Sequence, residues 1–193
     1  MQIRTEAKVQ EPPPLFQSVL ADLWELLPER VKQLHRIHGV RVYTGQASVT
    51  RGSSIIARFA AWFFNFPQAT DAVSLTVTKT RTGGGEIWER NFGGRAFRSF
   101  CAPAGIRHRY REKFWLFNYE QQLSVTNGAM HLPVVRGWFC GIPLPRFLLP
   151  WSESREYEEN GVFHFDVSLG APLGGGLIVR YRGSLLPEEP DRI

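Results

Sequence analysis

Apolar residues recur along this chain with two different periods, and the change from one to the other divides it. Between Leu15 and Leu27, Phe16, Val19, Leu20, Leu23, Trp24 and Leu27 return at helical spacing and form one apolar stripe. This spacing predicts an amphipathic helix. Pro28 suits the first turn of a second, short helix with Val31, Leu34 and His38 on one face and Gly39 as its left-handed terminator. Ahead of both, residues 1–14 mix charges with the triplet Pro12-Pro13-Pro14, which cannot donate backbone hydrogen bonds, and read as a disordered leader. A third helix is predicted over Ile55 to Phe64, capped by Ser53 or Ser54. Its faces are apolar almost all round, so it needs a cover. The expected cover is the domain's own sheet, the alternatives being a lipid surface or a partner protein.

From Pro67 onwards the period falls to two. Val73, Leu75 and Val77 alternate with Ser74, Thr76 and Thr78, the pattern of a half-buried strand. Val40 to Val49 gives an earlier strand, and further strands are expected at Glu86 to Phe92, Arg95 to Ala102, Arg107 to Arg111, Phe114 to Val125, Ala129 to Phe139, Ser154 to Glu158, Val162 to Leu169 and Leu177 to Leu185. Tight turns at Gly83-Gly84-Gly85, Gly93-Gly94, Asn127-Gly128 and Asn160-Gly161 join many of them. About ten short strands linked this way predict an α+β fold dominated by a large curved antiparallel sheet, a half-barrel or barrel. The prolines of Gly141 to Pro150 forbid ladder pairing there and predict a loop or short helix near one mouth. One domain is expected over 15–186, followed by a frayed tail over 187–193.

Composition adds a surplus of rings. The 193 residues include 6 Trp and 14 Phe, enough to suggest a wide core or a lined cavity. Cys101 and Cys140 lie far apart, no secretory signal precedes the domain, and a reduced, cytoplasmic setting with two free thiols is the expectation. No apolar run is long enough to span a bilayer, the candidate at Ile55 to Phe66 being short and interrupted by Arg58. The net charge of +5 is dispersed, which speaks against a nucleic-acid stripe.

Few residues invite chemistry. On the strand Val162 to Leu169, His164 and Asp166 share a face and offer half of a general-base arrangement, but no nucleophile elbow accompanies them. The five histidines show no recognised ligand spacing, and neither glycine run opens a helix, so no metal and no cofactor is expected. Arg136 interrupts what period two makes an apolar face, Met130, Leu132, Val134 and Trp138. An inward guanidinium there would need an acidic partner such as Glu86, Glu156 or Glu158, or an anionic head group. Arg180 and Arg182 on the last strand offer a similar site, and for all of these the bland alternative is an arginine with its head in water.

The run Arg136-Gly137-Trp138 through Gly141-Ile142-Pro143-Leu144-Pro145, then Glu156-Tyr157-Glu158, Phe163-His164-Phe165-Asp166-Val167 and Val179-Arg180-Tyr181-Arg182-Gly183, resembles an uncharacterised bacterial family, domain-of-unknown-function family 4166. The likeness extends over Leu15 to Leu185 and includes Gly84-Gly85-Glu86, Trp88, Arg90, Phe92-Gly93-Gly94 and Phe97. The resemblance implies that such domains occur alone or fused behind saccharopine-dehydrogenase-like or short-chain-dehydrogenase-like modules, and it transfers no catalytic residue.

These readings converge on a non-enzymatic module that holds a hydrophobic or amphipathic anionic small molecule in the sheet's concavity. Trp88, Phe92, Phe97, Trp138 and Tyr181 would line the site, Arg136 or Arg180 would meet the acid group, and Phe59, Trp62 and Phe63 of the apolar helix would form a lid. A second expectation is an accessory or catalytic role, using His164 and Asp166, beside a dehydrogenase-like NAD(P)-dependent protein. A third is binding to a membrane surface or, less in keeping with the dispersed charge, to nucleic acid.

Overall fold

The computed structural model describes residues 12–188. Thirteen strands form one sheet: β1 (Val40–Arg51), β2 (Thr70–Thr82), β3 (Gly85–Phe92), β4 (Arg95–Pro103), β5 (Arg109–Phe114), β6 (Phe117–Gln122), β7 (Ser124–Thr126), β8 (Ala129–His131), β9 (Val134–Phe139), β10 (Ile142–Pro143), β11 (Trp151–Glu159), β12 (Val162–Gly170) and β13 (Leu177–Pro187). Their order is β10-β9-β6-β5-β4-β3-β2-β1-β13-β12-β11-β8-β7, and each pairing is antiparallel. The sheet is curved but does not close into a barrel.

The count exceeds the expected one for two reasons: Ile142 and Pro143 pair with Phe139 and Trp138 as β10, in the segment whose prolines were expected to forbid ladder pairing, and the single long hairpin read over residues 114–139 is broken in both arms. Leu123 leaves the ladder to donate its N–H to the carbonyl of His108 at 2.7 Å, and Pro133, which has no N–H, ends pairing in the other arm. The base of the hairpin, β6 with β9, therefore belongs to one edge of the sheet beside β5. Its tip, β7 with β8, joins the opposite edge beside β11. A bulge between Glu120 and Gln121 shifts the β6/β9 register.

Short helices cover one end. α1 (Leu15–Leu20) packs on β4 and β5, and α2 (Glu29–His35) packs on β11 and β12. The continuous helix expected from Leu15 to Leu27 is interrupted: Ala21 has φ 50°, and the chain tightens into a 3-10 segment over Ala21–Leu26. α2 stops at His35, three residues before His38, and Gly39 does not adopt the left-handed φ expected of a terminator. Most of the leader, residues 1–11, lies outside the described residues, as do 189–193 of the expected tail. Pro187 is not frayed: it pairs with Tyr43, and Glu188 donates to the carbonyl of Val42 at 3.0 Å.

α3 (Ile55–Phe63) connects β1 to β2 at the opposite end. The Ser54 hydroxyl caps it by accepting from the Ala57 N–H at 3.1 Å, and that hydroxyl donates to the carbonyl of Gly175 at 2.9 Å. The helix rests against β13 through Ala57 and Ala61, its two buried residues. Gly52 permits this approach, since a Cβ there would sit 1.6 Å from the carbonyl oxygen of Leu177.

Candidate functional site: an aromatic cavity with a charged floor

The concave face of the sheet is not filled. A cavity of about 520 Å³ runs from α3 down to the N-terminal helices, within the size range of small-molecule sites. Period two supplies its wall. From β12, Phe163, Phe165, Val167 and Leu169 all point inward, as the alternation predicts. Phe92, Phe97 and Tyr181 stack beside them, with centroids 5.0 Å apart for Phe92 and Tyr181 and 6.0 Å for Phe92 and Phe97.

Inward positions at the helical end carry charges instead. Lys79 follows Leu75 and Val77 on one face of β2. Glu86, Trp88 and Arg90 share a face of β3, Tyr110 and Glu112 a face of β5, and Glu156 points inward from β11. Their hydrogen bonds fall into two groups. In the first, Lys79 Nζ donates to the carbonyl of Leu34 at 3.1 Å and lies 3.5 Å from His35 Nδ1, while His35 Nε2 lies 2.5 Å from a carboxylate oxygen of Glu156. One tautomer satisfies all of these contacts: Nδ1 accepts from the ammonium and Nε2–H donates to the carboxylate. Burial, with the neighbouring Lys79, holds the His35 pKa below its ordinary value. Burial pushes Lys79 down to about 8, partly countered by Glu156 and Glu86. The Glu156 carboxyl is held below its usual range because its contact with His35 and the charges of Lys79 and Arg90 outweigh its burial.

In the second group Glu112 accepts from Arg90 at 3.0 Å, from the Ser99 hydroxyl at 2.7 Å and from the Gln121 amide at 2.8 Å. Arg90 also lies over the Trp88 ring at 4.9 Å, and Lys79 Nζ sits 3.7 Å from the centroid of that ring. Trp88 in turn donates its indole N–H to Glu86 at 2.8 Å. Among the described residues, two buried polar atoms in this region lack a hydrogen-bond partner, Glu86 Oε1 and the Tyr181 hydroxyl. Tyr181 lines the cavity, and burial pushes its pKa far up.

Of the residues singled out from sequence, Trp88, Phe92, Phe97 and Tyr181 line the cavity, joined by Phe59 and Phe63 from α3. Trp62 is on the solvent side of the helix, 74% exposed. Arg136 is not inward. The register shift opposite Glu120 and Gln121 breaks strict alternation after Val134, so Gly137 faces Tyr119 and Leu149, while Arg136 is exposed and Trp138 carries Arg111 over its ring at 5.0 Å. Arg180 also lies outside. With its neighbours it encloses Asp166, which accepts from Arg180 at 2.8 and 2.7 Å and from Arg182 at 3.2 Å and has Arg155 at 3.6 Å. The hydrogen bonds from Arg180 and Arg182 hold Asp166 below its usual carboxylate range despite its burial. A polar outer concavity of about 410 Å³ includes Asp166 and Arg180. His164 does not join Asp166; its ring stacks on Tyr157 at 5.5 Å.

Sequence reasoning did not single out His35, Lys79, Arg90 or Glu112 for the site, and named Glu156 only as a candidate partner of Arg136. A usable signal was present, since period two puts Lys79 on the otherwise apolar face of Val73, Leu75 and Val77 and sets Arg90 between Trp88 and Phe92, the argument applied to Arg136. Cys101 is buried and Cys140 exposed, and both are free thiols. Among the described residues no cluster of three or more His, Cys, Asp or Glu could hold a metal ion, and no helix is long and apolar enough to cross a membrane.

No curated protein and no solved structure matches the chain. One family does, over residues 27–185, which takes in α2, α3, all the cavity-facing strands and every charged residue of the floor. The chain belongs to the family described as Domain of unknown function (DUF4166).

Proposed function

We propose that the protein is a binding module for a hydrophobic or amphipathic small molecule held inside the curved sheet. The observation that carries this reading is an aromatic-walled cavity of about 520 Å³ whose closed end holds paired charges and whose wall includes an unpartnered tyrosine hydroxyl, that of Tyr181. An apolar body would replace water along Phe92, Phe97, Phe163 and Phe165. A polar end would reach Tyr181 and the Lys79 and Arg90 level. Two cations, Lys79 and Arg90, and two carboxylates, Glu112 and Glu156, line the floor, and a third carboxylate, Glu86, is buried behind them. That balance favours an uncharged, hydrogen-bonding head group over the anionic one expected from sequence, since an acid would meet a surplus of negative charge.

The test uses N-phenyl-1-naphthylamine, an uncharged dye that brightens in apolar surroundings, together with native mass spectrometry of the protein as purified. Wild type is expected to enhance the dye with saturation at one equivalent. Val167→Trp, which places an indole in the cavity, is expected to lower dye affinity at least about ten-fold, the equivalent of the apolar area one lost ring contact leaves in water. Equal affinity in the two proteins would overturn the reading.

A further inference from the structure

The open end of the cavity is bordered by apolar residues that nothing in the fold covers. On α3, Ile55 is 85% and Phe59 63% exposed, although this helix was expected to be buried. The turn between β5 and β6 adds Trp115 at 67%, β10 adds Ile142 at 68%, and the segment before β11 adds Phe147 at 61%. Leu173, in the β12 to β13 connection, completes the set at 70%. These segments converge. Phe63 touches the Trp115 ring at 5.3 Å, Phe117 touches Phe139 at 4.8 Å, and Ile56, Phe59, Phe139, Leu148 and Pro172 border the same cavity. Soluble monomers seldom expose so many large side chains together unless the patch meets a partner.

The charges around this rim are of one sign. Residues 55–64, 113–118, 139–151 and 171–177 contain Arg58, Lys113 and Arg146, all exposed, and no Asp or Glu. The neighbouring carboxylates in sequence, Asp71, Glu112, Glu120, Glu153 and Asp166, belong to strands. Trp, Phe and Ile side chains interspersed with long cationic ones are the composition that settles at the boundary between acyl chains and head groups. The rings enter the apolar layer, and the Arg and Lys heads reach back to phosphates.

We infer that this rim docks on the surface of an anionic lipid bilayer, with the cavity mouth facing the lipid. Ions of one sign explain the choice of lipid over protein, because a protein partner of general surface composition would leave Arg58, Lys113 and Arg146 to be matched by carboxylates at fixed points, whereas anionic head groups diffuse to them. The inference goes beyond the binding-module reading and stands without it. If both hold, an amphipathic guest passes between bilayer and cavity without crossing water.

The full chain is mixed with sedimentable vesicles of phosphatidylcholine alone and of phosphatidylcholine with phosphatidylglycerol. Docking predicts co-sedimentation with the anionic vesicles that weakens with salt. Each of Arg58→Gln, Lys113→Gln and Arg146→Gln is expected to lower the partition coefficient on them about five-fold, and the triple variant about 100-fold, with little effect on neutral vesicles. Phe147→Ser with Ile142→Ser is expected to lower binding to both vesicle types at least about ten-fold. Both residues are solvent-exposed, so an unchanged thermal midpoint shows that the fold survives. Absence of sedimentation with anionic vesicles, indifference to these variants, or a dimer that the same variants dissolve would overturn the proposal. Val167→Trp separates the two readings: it is expected to lose the dye and keep the vesicles, whereas loss of vesicle binding with dye binding retained sinks docking alone.

Discussion

Replacing His35 by phenylalanine tests whether the buried chain Lys79–His35–Glu156 holds the cavity floor together. The new ring keeps the stacking volume against Phe16, whose centroid lies 4.0 Å from that of His35, and removes both nitrogens. The charge-assisted contact of Nε2 with Glu156 is worth about 1.5–3 kcal/mol. Removing the partner that joins the buried carboxylate to the buried ammonium raises the expected loss to about 3–5 kcal/mol. At about 2–4 °C per kcal/mol for a domain of this size, Tm should fall by at least about 6 °C. Urea unfolding followed by tryptophan fluorescence measures the difference at pH 7.5, and a pH series adds a second signature. His35 has a folded pKa below the 6.5 of the unfolded chain, so the unfolded state takes up a proton that the fold refuses. Stability is complete above pH 6.5 and falls as pH drops below it, by up to about 1.4 kcal/mol per pH unit. His35→Phe should lose this component of the slope between pH 6.5 and 5. A variant within about 1 kcal/mol of wild type, or one with the wild-type slope, would refute the linked-chain assignment.

Asp166→Asn on the outer face should cost about 1–2 kcal/mol, discounted because the arginine partners are one-third to one-half exposed. Because the folded pKa of Asp166 is depressed, its contribution is present above pH 3.8 and lost as pH falls further, so chemical denaturation of the variant should be flatter than wild type below that point. Thiol titration with a disulfide reagent under native conditions should report one fast equivalent, from the exposed Cys140. Cys101 is buried, with its pKa pushed well up by desolvation and by Glu112, and should react only on unfolding. Cys140→Ser should abolish the fast phase, and persistence of that phase would contradict the assignment.

Alternation made most of this fold readable before any coordinates. β12 is the clearest case, with Phe163, Phe165, Val167 and Leu169 inward and His164, Asp166 and Ser168 outward as period two dictates. β1, β3 and β4 were likewise found within two residues of their ends. The inward Phe92, Phe97 and Tyr181 followed from the same rule. It failed where the ladder is irregular: the bulge opposite Arg136 turns that residue and Trp138 outward, and a bulge depends on a partner strand that no local pattern reveals. It also failed for α3. An all-round apolar helix was read as core, but the curved sheet leaves its lower end to the N-terminal helices and buries only Ala57 and Ala61 of α3. The Lys79, His35 and Glu156 chain was invisible for a different reason, since its members are 44 and 121 residues apart and meet only through the tertiary fold.

The pairing of β1 with β13 places the earliest and the latest strands side by side in the middle of the sheet, with Tyr43 opposite Pro187. During synthesis, β2 to β12 therefore emerge without the neighbour that unites the half running to β10 with the half running to β7. Assembly has to wait until β13 has been made, a long-range topology that slows folding and leaves unpaired edges exposed meanwhile. A chain cut before Leu177 would lose a central strand, and with it the continuity of the entire ladder, in contrast to proteins whose final strand is a dispensable edge.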